Sequence, residues 1–138
     1  MMRRTVTALV ALSALMAASV GSAAERAAAN TKTIATVSTS DFRAVVVARR
    51  SSGGRAPTAA VTIDTYARSG RLWKPVDARA LSGGPFFWNT VTGPHAFCSL
   101  EIASGPGGAG TRPHVVVQLL RSPSLGCAGA QTIPIQGS

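Results

Sequence analysis

The residues that could do chemistry are few, and their spacing preforms no reaction. Nucleophilic catalysis needs a nucleophile, a base and a group that orients the base. His95 and His114 are the only imidazoles. Both fall in segments that alternate like strands, opposite the apolar residues. No serine sits in a Gly-x-Ser-x-Gly turn. Glycoside hydrolysis needs two placed carboxylates. The carboxylates are Glu25, Asp41, Asp64, Asp77 and Glu101. Asp41 and Asp77 read as turn residues, and Asp64 and Glu101 as outward strand residues. No carboxylate stands at ligand spacing from either histidine. The Gly-rich stretch 104–110 lacks the Lys-Ser/Thr and the following helix of a phosphate loop. The expectation is a chain with no catalytic residue, no metal ligand and no cofactor. A small hydrolase built on His95 or His114 is the rival reading.

Cys98 and Cys127 are the only cysteines. In an exported chain the simplest outcome is that they pair. The loop they close would stabilise the fold by about 3.5 kcal/mol in the chain-entropy account. Their wide spacing argues against a redox or metal pair.

Binding candidates are aromatic or basic. The segment 83–94 (GGPFFWNTVTGP) is uncharged and holds Phe86, Phe87 and Trp88 in succession. Three consecutive aromatics cannot share one side of a strand. In one reading Phe86 and Trp88 fill the core while Phe87 covers an edge. In the other, an exposed ring joins Trp73, Tyr66 or Phe97 as a stacking platform for a sugar or an apolar partner. Basic charge is spread along the chain, and only Arg49, Arg50 and Arg55 form a loose cluster.

The elements that must position these groups are short and β-branched. Strands are expected near 33–38, 42–49, 59–68, 71–76, 85–91, 95–103, 112–121 and 131–136. In 95–103, Ala96, Cys98, Leu100 and Ile102 share one face, which places Cys98 in the core. Val115, Val117 and Leu119 alternate in the same way, as do Val61, Ile63 and Ala67. Ser69-Gly70 makes 59–76 the strongest hairpin. The stretches 51–57 and 104–110 are loops by their Gly and Pro content. No helical period follows residue 24. The expected fold is all-β: an antiparallel β-sandwich of about seven or eight strands, immunoglobulin-like in architecture.

The N-terminus has the three parts of a secretory signal peptide: Arg3-Arg4, an apolar run from Val6 to Val20, and small residues before Ala24. The expected organisation is a signal peptide over 1–24, a flexible leader over 25–32 and a single β-sandwich domain over 33–138. The apolar run is shorter than the ~20 residues of a membrane span, so the mature chain is expected to have no transmembrane segment. Cleavage would leave 114 of the 138 residues and, with Arg3 and Arg4 gone, take the formal charge from +9 to +7. Such charge favours anionic partners or simply solubility.

Residues 33–136, with the GGPFFWNTVTGP segment and the run 115–127 (VVVQLLRSPSLGC), resemble uncharacterised small secreted actinobacterial β-sandwich proteins. The resemblance implies a compact sandwich and transfers no functional residue. Secreted protease inhibitors of similar size carry two disulfides, which this chain cannot form. The reading is a secreted, extracellular, non-catalytic binding or cell-envelope-associated domain. Its partner would be an anionic cell-wall polymer, a polysaccharide or another secreted protein, with no specific nucleic acid. The alternative is an inhibitor or interaction protein acting through loop 51–57 or 104–110.

Overall fold

The computed structural model describes residues 30–51, 55–103 and 112–136. The expected signal peptide, residues 25–29 of the expected leader and the stretch 104–110 expected as a loop lie outside the described residues, as do positions 52–54 of the stretch 51–57. Thr31 and Lys32, expected in the leader, already belong to a strand. The described chain runs β1 (Thr31–Ser38), β2 (Phe42–Ser51), β3 (Thr58–Ser69), β4 (Leu72–Ala80), β5 (Phe86–Phe87), a helical turn α1 (Trp88–Val91), β6 (Phe97–Ala103), β7 (His114–Ser122), β8 (Gly126–Cys127) and β9 (Gln131–Pro134).

Two antiparallel sheets result, and the expected all-β sandwich is present. In the first sheet β1, β2, β3 and β4 pair in sequence order, and β5 pairs with the start of β3. In the second, β7 pairs with β6 on one side and with β8 and β9 on the other. The likeness to immunoglobulin domains is one of layering, because here each sheet draws on one continuous stretch of chain. The alternating residues close over each other between the sheets. Ala44, Val46 and Ala48 of β2 and Val61 and Ile63 of β3 are buried with Val115, Val117 and Leu119 of β7. Each Val, Ile or Leu so buried is worth about 1.5–3 kcal/mol relative to exposure.

Turn chemistry matches the chain. Ser69 pairs with Leu72 across a two-residue loop. Gly70 takes φ +63° at its first position, a conformation a side chain would strain. The extra residue Val76 bulges β4 opposite Thr65 and Tyr66. There the buried Thr65 hydroxyl donates to the Asp77 carbonyl at 3.3 Å, so it is not left unsatisfied. The sheets are also joined by a polar clasp. The Gln131 side-chain oxygen accepts from the Ser82 backbone N–H at 2.9 Å, and its amide nitrogen donates to the Ser82 carbonyl at 2.7 Å.

Four further expectations need correction. The stretch 85–91 is not one strand. Only Phe86 and Phe87 pair, with Ala59 and Thr58 at the very start of β3. The Trp88 N–H reaches the Pro57 carbonyl, and beyond it no ladder partner remains. The chain then coils into α1, with the Thr92 N–H donating to the Trp88 carbonyl at 3.0 Å. Gly93 is required just after, since a Cβ there would lie 2.9 Å from the Asn89 carbonyl oxygen.

Cys98 is exposed rather than in the core. Phe97 pairs with Leu119 and Ser99 with Gln118, so Cys98 is the extra residue of a bulge. The bulge reverses the alternation at that point. Phe97 packs against the core in its place, while Leu100 and Ile102 keep the inward face as expected. The disulfide to Cys127 forms, with Cα atoms 6.3 Å apart, and it ties β6 to β8 on the outer surface. Finally, Asp77 lies within β4 and not in a turn, and His95 lies in the turn before β6.

Candidate functional site

Register, not sequence proximity, assembles the main cluster of aromatic and basic groups. Residues directly opposite on neighbouring strands share a face. Arg43 pairs with Tyr66, Tyr66 with Pro75, and Arg68 with Trp73. All five therefore stand on the outer face of the first sheet, at the end that carries the β3–β4 turn. The Arg43 guanidinium lies 4.4 Å from the Trp73 ring centroid and that of Arg68 lies 5.3 Å from it. Both are within the range of cation–π attraction, about 0.5–1 kcal/mol each at a solvated site. Arg68 is held further by Nε donating to the Gly70 carbonyl and Nη1 to the Ser40 carbonyl, at 3.2 and 3.3 Å. That second contact links the β1–β2 turn to the β3–β4 turn. The Arg43 Nε is buried with no partner among the described residues.

The cluster is strongly basic. Arg71 and Lys74 are exposed on the same hairpin. Among the described residues, the only ion pair joins Arg79 Nε to Asp77 Oδ2 at 2.7 Å. That Arg79 hydrogen bond holds the Asp77 carboxyl below the usual carboxylate range, helped by the Ala78 N–H. Arg43, Arg68, Arg71 and Lys74 are thus free of described carboxylates. Beside them Ala67, Arg68, Ser69, Lys74, Pro75 and Val76 line an open depression of about 480 Å³.

The other candidates do not form one site. Phe86 is 2 % exposed and belongs to the core, while Phe87 is half-buried. Trp88 is half-buried and packs against the core, with the Arg50 guanidinium 5.9 Å from its ring. Arg49 and Arg50 diverge as neighbours on a strand must. Arg49 stands opposite Ala60 and Thr31 on the outer face, and Arg50 opposite buried Ala59. Arg55 is exposed. Tyr66 does come together with Trp73, but Phe97 packs against the core and belongs to the second sheet.

Arg43 and Arg68 were not among the candidates drawn from sequence. The signal for Arg68 was available. A two-residue turn at Gly70-Arg71 puts Ser69 opposite Leu72 and hence Arg68 opposite Trp73. Arg43 depends on the β2–β3 register, which a longer loop does not dictate.

His95 is exposed, and the ring of His114 lies 3.2 Å from the Arg112 carbonyl through Nδ1. Among the described residues, no three of His, Cys, Asp and Glu gather where they could share a metal ion. No described helix is long and apolar enough to cross a membrane. Compared with known protein families, curated proteins and solved structures, the chain matches none.

Proposed function

We propose that the protein is a secreted, non-catalytic binding domain that captures an anionic partner at the Arg43–Trp73–Arg68 end of its first sheet. One observation carries this reading: two guanidiniums are held over one indole with no described carboxylate to neutralise them. Holding a guanidinium in advance lowers the ordering cost of binding, and its edge N–H groups suit a carboxylate or phosphate. The same geometry favours charge over stacking. A ring already covered by guanidiniums offers little bare face to a sugar, so charge leads. Export rests on the signal-like residues 1–24.

Retention on an immobilised acidic polysaccharide across a salt gradient tests the reading. Exposed charge contacts are screened, so retention should fall steadily as salt rises. The pair Arg43→Gln and Arg68→Gln should release at lower salt than the native protein. Equal elution of both proteins, or retention that ignores salt, would remove the proposal.

A further inference from the structure

We infer that the anionic partner is a lipid surface, entered end-on by Leu72 at the tip of the β3–β4 hairpin. This rests on the reading that this end of the sheet binds anions. Leu72 is 70 % exposed, beside the Gly70-Arg71 turn. The fold does not explain a leucine there. The inward row of the hairpin leaves the core after Thr65: Ala67 is half-buried, and Ser69, Leu72 and Lys74 are exposed. A polar residue would serve the turn as well and would not cost exposed apolar surface.

The neighbours of Leu72 suit an interface. Trp73 follows it, half-buried, with an amphipathic ring of the kind that settles at headgroup level. Arg43 and Arg68 flank Trp73 on the outer face, Lys74 follows Leu72 on the other, and Arg71 lies in the turn between strands; cations near an anionic leaflet each add attraction. Their arrangement also matters. They gather at one end of the sheet instead of lining a track along it, which fits a surface met by a tip better than a polymer laid across a face. A soluble polyanion would leave Leu72 in water, whereas a bilayer would bury it.

Flotation with vesicles tests this, using protein purified from a secreting host. Binding to phosphatidylglycerol vesicles and not to phosphatidylcholine vesicles is expected, with a blue shift of Trp73 emission in a Trp88→Phe background. Leu72→Ser should weaken that binding about tenfold, the effect of returning one leucine side chain to water. It should leave binding to soluble polygalacturonate unchanged. Leu125, the other exposed leucine, sits in the β7–β8 turn of the second sheet, so Leu125→Ser should change neither. If Leu72→Ser floats like the native protein, Leu72 does not enter the bilayer and the inference fails. Binding to polygalacturonate without binding to either vesicle also defeats it, while leaving the proposed function standing. Binding to none of the three ligands removes both.

Discussion

Trp73 and Trp88 each lie beneath an arginine, yet they are put there in opposite ways. Trp88 belongs to a continuous aromatic run, and its surroundings are mostly apolar: it packs against the core beside buried Phe86 and Val91. Trp73 stands alone in the sequence and gains its partners across strands, from residues 30 and 5 positions away. Arg43 and Arg50 sit toward opposite ends of β2, about 24 Å apart at ordinary strand rise. The comparison teaches that a dense local motif can be packing material. A dispersed set of residues becomes a surface feature once register aligns it.

The sharpest way to break the contrast is to cut into the buried region. Phe86→Ala should cost about 3–5 kcal/mol, read from denaturant unfolding, because it empties a filled position. Under conditions where the variant remains folded, anion retention should be native. A loss of retention in the folded variant would merge the two regions into one site. Next in size, replacing Arg43 and Arg68 by Gln should weaken binding to an acidic polymer about tenfold, the sum of two exposed charge contacts at about 0.5–1 kcal/mol each. Its unfolding midpoint should move far less than that of Phe86→Ala.

Fluorescence reads the contrast from each ring in turn. With Trp73→Phe, the remaining Trp88 should emit at shorter wavelength and resist iodide. With Trp88→Phe, Trp73 should be quenched more readily, and an added polyanion should protect it. Equal quenching of both would erase the distinction.

The smallest effect concerns Arg79, the arginine whose charge is already matched. Arg79→Gln should leave anion retention as it was. Its stability deficit has a defined pH course. The Asp77 pKa is lowered in the fold by the Arg79 hydrogen bond, so this pair stabilises the native state above the usual carboxylate pKa. The contribution is lost as pH falls through the lowered value. Native and variant unfolding curves should therefore converge in acid.

Most of the scaffold was legible because period-two alternation reports burial directly. Val61 and Ile63, and Val115 with Val117 and Leu119, point inward as the pattern demands. What was not legible depends on single-residue slips. The bulge at Cys98 reverses one side chain, and nothing local announces it. The strand expected over 85–91 fails after two residues because β3 offers no partner before Thr58, a fact about another part of the chain. The two-residue strand β8 was missed because so short an element carries no period. At the site, Trp73 was visible as a residue type, whereas its two guanidiniums needed the register of three strands.

Sequential strand order has a consequence for assembly. The first sheet is complete once residue 87 is available, and the second needs only residues 97 to 134. Neither half waits for the other to find its hydrogen-bonding neighbours. Few residues separate most paired strands, so bringing them together costs little chain entropy. What joins one layer to the other is therefore left to side chains: the apolar residues between the sheets and the Ser82–Gln131 hydrogen bonds.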